Sequence, residues 1–400
     1  MKHVIIGNGA AGISAAEKLR SLDDSSEITI VSNEDAYTYT KFMLPDYVGN
    51  KISREKLFLR DAKNYENNRI DIMLGEEIDL IDYKNKCVNL LSGQKKEYDK
   101  LLVAVGAKPV VPDIEGLKDS NYLTINSIRE ADTIKNRAVR GQKAIIIGGG
   151  LTGIETAFGL KRLGMNVAIV ERENSLLPQH LDEVCASVLK KQVNNEGIET
   201  FLSKNVTRVS SGKNNFVQFS DGDSLNFDML IVAIGTKPQL DIIKGTDIKC
   251  KRGILVNEYL ESSIKDIFSA GDVAELENCS VDGYVSGYIW SNAMAQGKCA
   301  ALNMVGKKEK FSSDEACNNS VRLRDVPFVS MGLIKPDEIQ HEVVVHFDSE
   351  SNVYKKMILK DNKIKGMIFF GDMKSANIVA EHIRKNKDIT DIKDMVYNGN

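Results

Sequence analysis

Paired cysteines are missing from this 400-residue chain. Its six cysteines, Cys87, Cys185, Cys250, Cys279, Cys299 and Cys317, form no CxxC pair and no His/Cys group at metal-ligand spacing. That excludes an iron–sulfur cluster or a rubredoxin-like iron site built within the chain, and each cysteine is expected to be a reduced, mostly buried small residue. Cys279 stays open as a redox candidate because it follows a strand-end carboxylate considered below. Long apolar runs are also missing, so no membrane-spanning helix is expected. The formal charge of −3 contains no long block of one sign, which speaks against a nucleic-acid or membrane-surface partner. A strand begins by His3, which leaves no room for a signal peptide, and cytoplasm is the expected location.

What is present is a globular composition, 42% hydrophobic and 27% charged, long enough for two or three domains. Within it a glycine fingerprint occurs twice. Gly7-Asn8-Gly9-Ala10-Ala11-Gly12 follows His3-Val4-Ile5-Ile6, and Gly148-Gly149-Gly150-Leu151-Thr152-Gly153 follows Ala144-Ile145-Ile146-Ile147; each opens a helix. The first glycine permits the tight turn, the second admits a pyrophosphate to the main chain, and the third lets helix pack on strand. One chain is therefore expected to hold two dinucleotides. The next strand of the second copy ends at Glu171, whose carboxylate suits an adenosine ribose and repels a 2′-phosphate, so NADH is favoured over NADPH. Arg172 weakens that preference. In the first copy the strand end is Ser32, with Glu34 two residues on as either the ribose partner or a solvated loop carboxylate.

The first fingerprint leads to an aromatic stretch, Tyr37-Thr38-Tyr39-Thr40-Lys41-Phe42-Met43-Leu44-Pro45. The strand Leu101-Leu102-Val103-Ala104-Val105 then stops at Gly106-Ala107-Lys108-Pro109. A matching phrase, Leu230-Ile231-Val232-Ala233-Ile234-Gly235-Thr236-Lys237-Pro238, closes the second block, which suggests an internal duplication with the second copy inserted into the first. Ile267-Phe268-Ser269-Ala270-Gly271-Asp272 reads as a buried strand ending in a glycine and a carboxylate, and residues 290–305 as a helix. Beyond Phe311 the pattern changes to hairpins: strands at 343–347, 354–359 and 364–370, a turn at Asp361-Asn362, and a helix at 375–384. No catalytic motif is found there, and a packing or dimerisation domain is expected.

This order of motifs resembles the FAD- and NAD(P)H-dependent pyridine-nucleotide oxidoreductases of the glutathione-reductase-like superfamily, over essentially the full length. The resemblance implies an α/β fold class: two Rossmann-like dinucleotide-binding domains, the NAD domain inserted in the FAD domain, plus a C-terminal α+β interface domain. The implied boundaries are 1–110 with 238–308 for FAD, 111–237 for NAD(P)H and 309–400 for the interface domain. The FAD site it implies uses Gly7, Gly9, Ala10, Ala11, Gly12, Glu34, Lys41, Ala104, Gly106, Gly271, Asp272 and Gln296. The NADH site uses Gly148, Gly150, Leu151, Thr152, Gly153, Glu171 and Gly235. Lys41 and Glu155 look like the family's lysine and glutamate pair near the flavin, a positive charge and the carboxylate that fixes it.

Residues 39–45, the Trp290-x-x-Ala293-x-x-Gln296-Gly297 pattern with Asn303, and the C-terminal hairpins look most like the branch of NADH:rubredoxin reductases and the flavin segment of nitrite reductases. Disulfide-reducing relatives carry a redox cysteine where this chain has Phe42, and without that thiolate reduced flavin must pass electrons directly to another acceptor. The resemblance implies an NADH dehydrogenase that delivers electrons to rubredoxin or a similar small redox protein. Alternatives are an NADH oxidase using dioxygen, a nitrite-reductase-type subunit, or an NADH-sensing flavoprotein without catalytic duty. A homodimer through the C-terminal domain is a further expectation.

Overall fold

The computed structural model describes residues 1–276, 290–311, 320–323, 326–337 and 339–398. They group into two compact units, one of Met1–Met43, Ser53–Lys108 and Thr236–Ala316, the other of Leu44–Ile52, Pro109–Gly235 and Cys317–Asn400. Apart from the short excursion of Leu44–Ile52, the chain leaves the first unit and returns to it at the two Gly-x-Lys-Pro phrases.

The first unit is built on a five-stranded parallel sheet. Its spatial order is Ile267–Ser269, Lys100–Val103, Lys2–Ile6, Glu27–Ser32 and Ile70–Leu74. The central strands are nearly uninterrupted apolar runs because helices and loops cover both faces, and Ile5, Leu101, Leu102 and Val103 are fully buried. Burial of each such side chain contributes about 1.5–3 kcal/mol. Helix Ala10–Leu22 packs against helix Trp290–Met304 through small residues. The crossing is close enough that a Cβ on Gly297 would lie 2.1 Å from the Ala11 carbonyl oxygen.

The second unit repeats the plan with a four-stranded parallel sheet ordered Ile198–Phe201, Asn166–Val170, Lys143–Ile147 and Met229–Val232. In both units a three-stranded antiparallel meander precedes the returning strand: Ile78–Asp82, Cys87–Leu90 and Lys95–Glu97 in the first, and Val206–Ser210, Phe216–Phe219 and Ser224–Asn226 in the second. The shared strand order and shared insertion establish the duplication suggested by the fingerprints.

Leu44–Ile52, the continuation of the aromatic stretch, packs on helix Leu151–Arg162 of the second unit. A Cβ on Gly159 would stand 2.7 Å from the Pro45 carbonyl oxygen. Asp46, almost fully buried, lies 3.7 Å from Arg162 and 3.9 Å from Lys51, and the Tyr47 hydroxyl donates to Asp132 at 2.6 Å. Buried charge of this kind persists only with partners.

The C-terminal hairpins form a five-stranded antiparallel sheet. Its order is Ser320–Leu323, Phe328–Gly332, Lys363–Phe370, Val353–Lys360 and Glu342–Asp348. Helix Ala376–Arg384 packs on it through Ala376, Val379 and Ala380. Asp182, the N-cap of helix Glu183–Asn195, reaches this sheet by accepting hydrogen bonds from the Tyr354 hydroxyl and, at 3.0 Å, from Lys356 Nζ. Cys185 on the same helix is fully buried, and burial pushes its thiol up. Cys299 is buried, Cys87 is partly buried and Cys250 is exposed against expectation; Cys279 and Cys317 lie outside the described residues. Among the described residues no helix is long and apolar enough to cross a membrane, and no group of three His, Cys, Asp or Glu side chains could hold a metal.

Candidate functional site

The two glycine turns are nearly superimposable in their local geometry. Gly7 has φ +110° and its amide donates to the Val31 carbonyl at 2.8 Å; Gly148 has φ +117° and donates to Val170 at 2.8 Å. A Cβ at Gly7 would lie 2.3 Å from the Ala104 oxygen, and one at Gly148 would lie 2.3 Å from the Ala233 oxygen. Both turns therefore require glycine for conformation and for space. The third glycine of each, Gly12 and Gly153, would drive a Cβ to 1.9 Å and 2.1 Å from the oxygen of the first.

The middle glycines behave oppositely. Gly9 and Gly150 are the N-caps of the two helices, both with extended backbone, and neither supplies a side-chain cap. A Cβ on either would meet nothing within 4 Å. The amides of Ala10, Ala11 and Gly12, and of Leu151, Thr152 and Gly153, thus open each helix at an uncapped positive end beside free space. A pyrophosphate fits such a cradle in chemistry and in room.

At the end of the next strand, Glu171 accepts hydrogen bonds from the Gly149 amide at 2.6 Å and the Glu173 amide at 2.9 Å. Sheet register places Ser32 at the equivalent position of the first unit, and Glu34 takes up a different arrangement. Its carboxylate accepts from the Tyr39 hydroxyl at 2.6 Å and pairs with Lys41 at 3.1 Å. Lys41, expected from the sequence to pair with Glu155, has its ion pair with Glu34; Glu155 is buried on helix Leu151–Arg162 of the other unit. Two residues not singled out from the sequence complete the first turn: Thr38 donates to the Asn8 carbonyl and Tyr65 to the Asn8 side chain, each at 2.9 Å. Their signal was weak, since a threonine and a distant tyrosine fall in no spacing pattern.

The remaining candidates of the first unit gather at the same carboxyl end of its sheet. Ala104 and Gly106 follow strand Lys100–Val103, and Gly271 and Asp272 follow strand Ile267–Ser269. The Gly271 amide donates to the buried Gln296 side chain at 2.7 Å. Burial raises the Asp272 carboxyl to about 6, with the Lys41 charge pulling the other way. Phe42, half exposed, meets Trp290 edge to face at 5.9 Å between ring centres. In open α/β sheets this carboxyl end is where ligands bind. Gly235, with φ +108°, stands in the second unit beside strand Met229–Val232 as Gly106 does in the first.

Residues 1–297 match the pyridine nucleotide-disulphide oxidoreductase family, and residues 319–387 match the rubredoxin NAD+ reductase C-terminal domain. The chain belongs to the pyridine nucleotide-disulphide oxidoreductases. Members of this family are flavin-dependent NAD(P)H oxidoreductases that use FAD and a nicotinamide dinucleotide, in keeping with two open cradles in one chain. The assimilatory nitrate reductase electron transfer subunit of Bacillus subtilis is 29% identical over 98% of this chain and 50% of its own length. This chain therefore spans about half of that relative. The NADH-rubredoxin oxidoreductase of Clostridium acetobutylicum is 30% identical over 98% of this chain and 97% of its own. The crystal structure of NADH:rubredoxin oxidoreductase from Clostridium acetobutylicum aligns with a TM-score of 0.78 and 28% identity, over 100% of this chain and 99% of that one.

Proposed function

We propose that this pyridine nucleotide-disulphide oxidoreductase is an NADH dehydrogenase that passes electrons from NADH through FAD to a small external redox protein such as rubredoxin. The observation that carries the reading is the matched pair of uncapped helix N-termini in one chain. In this assignment residues 1–110 with 238–308 hold FAD, 111–237 hold NADH and 309–400 form an interface domain, which is also where a homodimer would form; the protein works in the cytoplasm.

Bound FAD supplies the chemistry, accepting a hydride from NADH and releasing electrons to the acceptor. The chain's part is to bind, orient and set charge. Gly7, Gly9, Ala10, Ala11 and Gly12 hold the FAD pyrophosphate, Glu34 its adenosine ribose, and Ala104, Gly106, Gly271, Asp272 and Gln296 the rest of the cofactor. Gly148, Gly150, Leu151, Thr152, Gly153, Glu171 and Gly235 hold NADH. Lys41 contributes a positive charge beside an electron-rich cofactor, and Glu155 a buried carboxylate on the helix that starts from the NADH turn. Phe42, standing where disulfide-reducing relatives carry a cysteine, supports an external acceptor over a disulfide relay.

The test is anaerobic stopped-flow reduction by NADH, followed by mixing with rubredoxin or oxygen in parallel. Fast bleaching of the flavin and preferential reoxidation by rubredoxin are expected. Preferential reoxidation by oxygen would assign an NADH oxidase, and absence of bleaching would sink the dehydrogenase reading. Asp272 adds a pH signature. With a carboxyl at about 6, its ionised form accepting a ribityl hydroxyl, FAD affinity should be flat above pH 6. It should then fall by up to about tenfold per pH unit below, as protonation removes the acceptor, and level off once the FAD-bound carboxyl is protonated too. Fluorescence titration of the apoprotein with FAD checks this, and Asp272→Asn should abolish the slope.

A further inference from the structure

Glu171 is followed by a cation and a second carboxylate, and their geometry bears on which nicotinamide dinucleotide the second turn accepts. Both oxygens of Glu171 are engaged by backbone amides, Gly149 on one and Glu173 on the other, so the carboxylate is fixed at the strand end. Arg172 beside it carries a guanidinium of the type that receives an adenosine 2′-phosphate. That guanidinium is engaged elsewhere: Nε at 3.3 Å and Nη2 at 3.1 Å both donate to the same Glu173 oxygen. The backbone of Glu173 is itself held on two sides, its amide on Glu171 and its carbonyl accepting from the Ser203 amide at 2.9 Å. The loop therefore presents Glu173 to Arg172 from a fixed base.

We propose that Glu173 is a specificity residue of the second dinucleotide site: it engages Arg172 and so withholds from NADPH the cation that would otherwise receive its 2′-phosphate. This rests on the assignment of the second turn to NADH. With Glu173 charged, the strand end carries two carboxylates and one guanidinium that is already paired. Neutralising Glu173 leaves one carboxylate opposite one free guanidinium, which removes one repulsion and creates one attraction for a phosphate dianion. Because the Arg172–Glu173 pair is largely exposed, its hold is modest, and releasing it changes affinity by roughly fivefold.

The experiment is calorimetric titration of the FAD-loaded protein with ADP-ribose and with ADP-ribose 2′-phosphate, read as the ratio of the two dissociation constants. Wild type is expected to prefer ADP-ribose. Glu173→Gln should move the ratio toward the phosphorylated ligand by roughly fivefold, a gain that fades at high salt. Adding Arg172→Ala to that variant should erase the gain. An unchanged ratio in Glu173→Gln overturns the proposal, and so does a gain that survives loss of Arg172, since repulsion by Glu173 alone would then explain it. Failure of wild type to bind either ligand would instead overturn the assignment of the second turn, and this proposal with it.

Discussion

Gly150→Asp should yield a folded, FAD-containing protein that no longer binds NADH, and Gly9→Asp a folded protein that no longer retains FAD. Both positions are helix N-caps with extended backbone, the conformation in which aspartate caps well, and a Cβ at either meets nothing within 4 Å. The new carboxylate would accept the helix amides that now face open space, so the fold should lose nothing and stands to gain a few tenths of a kcal/mol. The same carboxylate would occupy and repel the pyrophosphate position. Two lost charge-assisted hydrogen bonds, at about 1.5 kcal/mol each, correspond to a loss in affinity of roughly a hundredfold or more. Calorimetry with NADH reads the first variant, and the flavin absorbance of the purified protein reads the second. Circular dichroism must stay at wild-type values in both, and the melting temperature must match that of NADH-free wild type for Gly150→Asp and that of the FAD-free wild-type apoprotein for Gly9→Asp. By contrast, Gly12→Ala should damage the fold itself, because its Cβ would meet the Gly7 oxygen at 1.9 Å. Retention of NADH by Gly150→Asp, with a native melt, would remove the second turn from the mechanism.

That division between glycines of space and glycines of access is only partly visible in the sequence. Spacing identified the two turns, their strands and the duplication, because a parallel strand buried on both faces must be apolar and a pyrophosphate turn must be glycine-rich. Three of the five C-terminal strands likewise follow from short alternating or continuous patterns, whereas Ser320–Leu323, Phe328–Gly332 and the order of strands in each sheet were not read from the sequence. The meanders inserted in each unit escaped notice. Strands such as Lys95–Glu97 and Ser224–Asn226 are three residues long, polar and largely exposed, and carry no periodicity to detect. The partners of Asn8 and the pairing of Lys41 with Glu34 depend on how a loop folds back on its own strand end, and no sequence spacing encodes that. Docking of Leu44–Ile52 on the second unit was hidden for a related reason: Gly49 and Gly159 signal close approach only once both are placed in space.

The largest stability effect is expected at Asp182, which no motif marked. Its Oδ1 caps helix Glu183–Asn195 through the Cys185 amide at 3.0 Å, and its Oδ2 receives the Tyr354 hydroxyl and Lys356 Nζ from the C-terminal sheet. Tyr354 is buried and the Lys356 side chain is only 11% exposed. Desolvation and then the neighbouring carboxylate push the Tyr354 hydroxyl well above its ordinary range, so it stays a donor at any physiological pH. Asp182→Ala strands the Lys356 ammonium in a site with little water, at about 3–5 kcal/mol, and removes a cap worth about 1 kcal/mol more. Asp182→Asn should cost less, because the amide oxygen can still cap the helix or accept from Tyr354. Lys356→Met placed on Asp182→Asn should recover most of the loss, since the pair is then replaced by groups that need no counter-charge. Urea unfolding of wild type, Asp182→Asn, Lys356→Met and the double variant forms a double-mutant cycle. Near-additive effects would mean that Asp182 acts through its helix cap and the Tyr354 hydroxyl rather than through Lys356, whereas strong recovery in the double variant would identify the buried ion pair as what ties this helix to the C-terminal sheet.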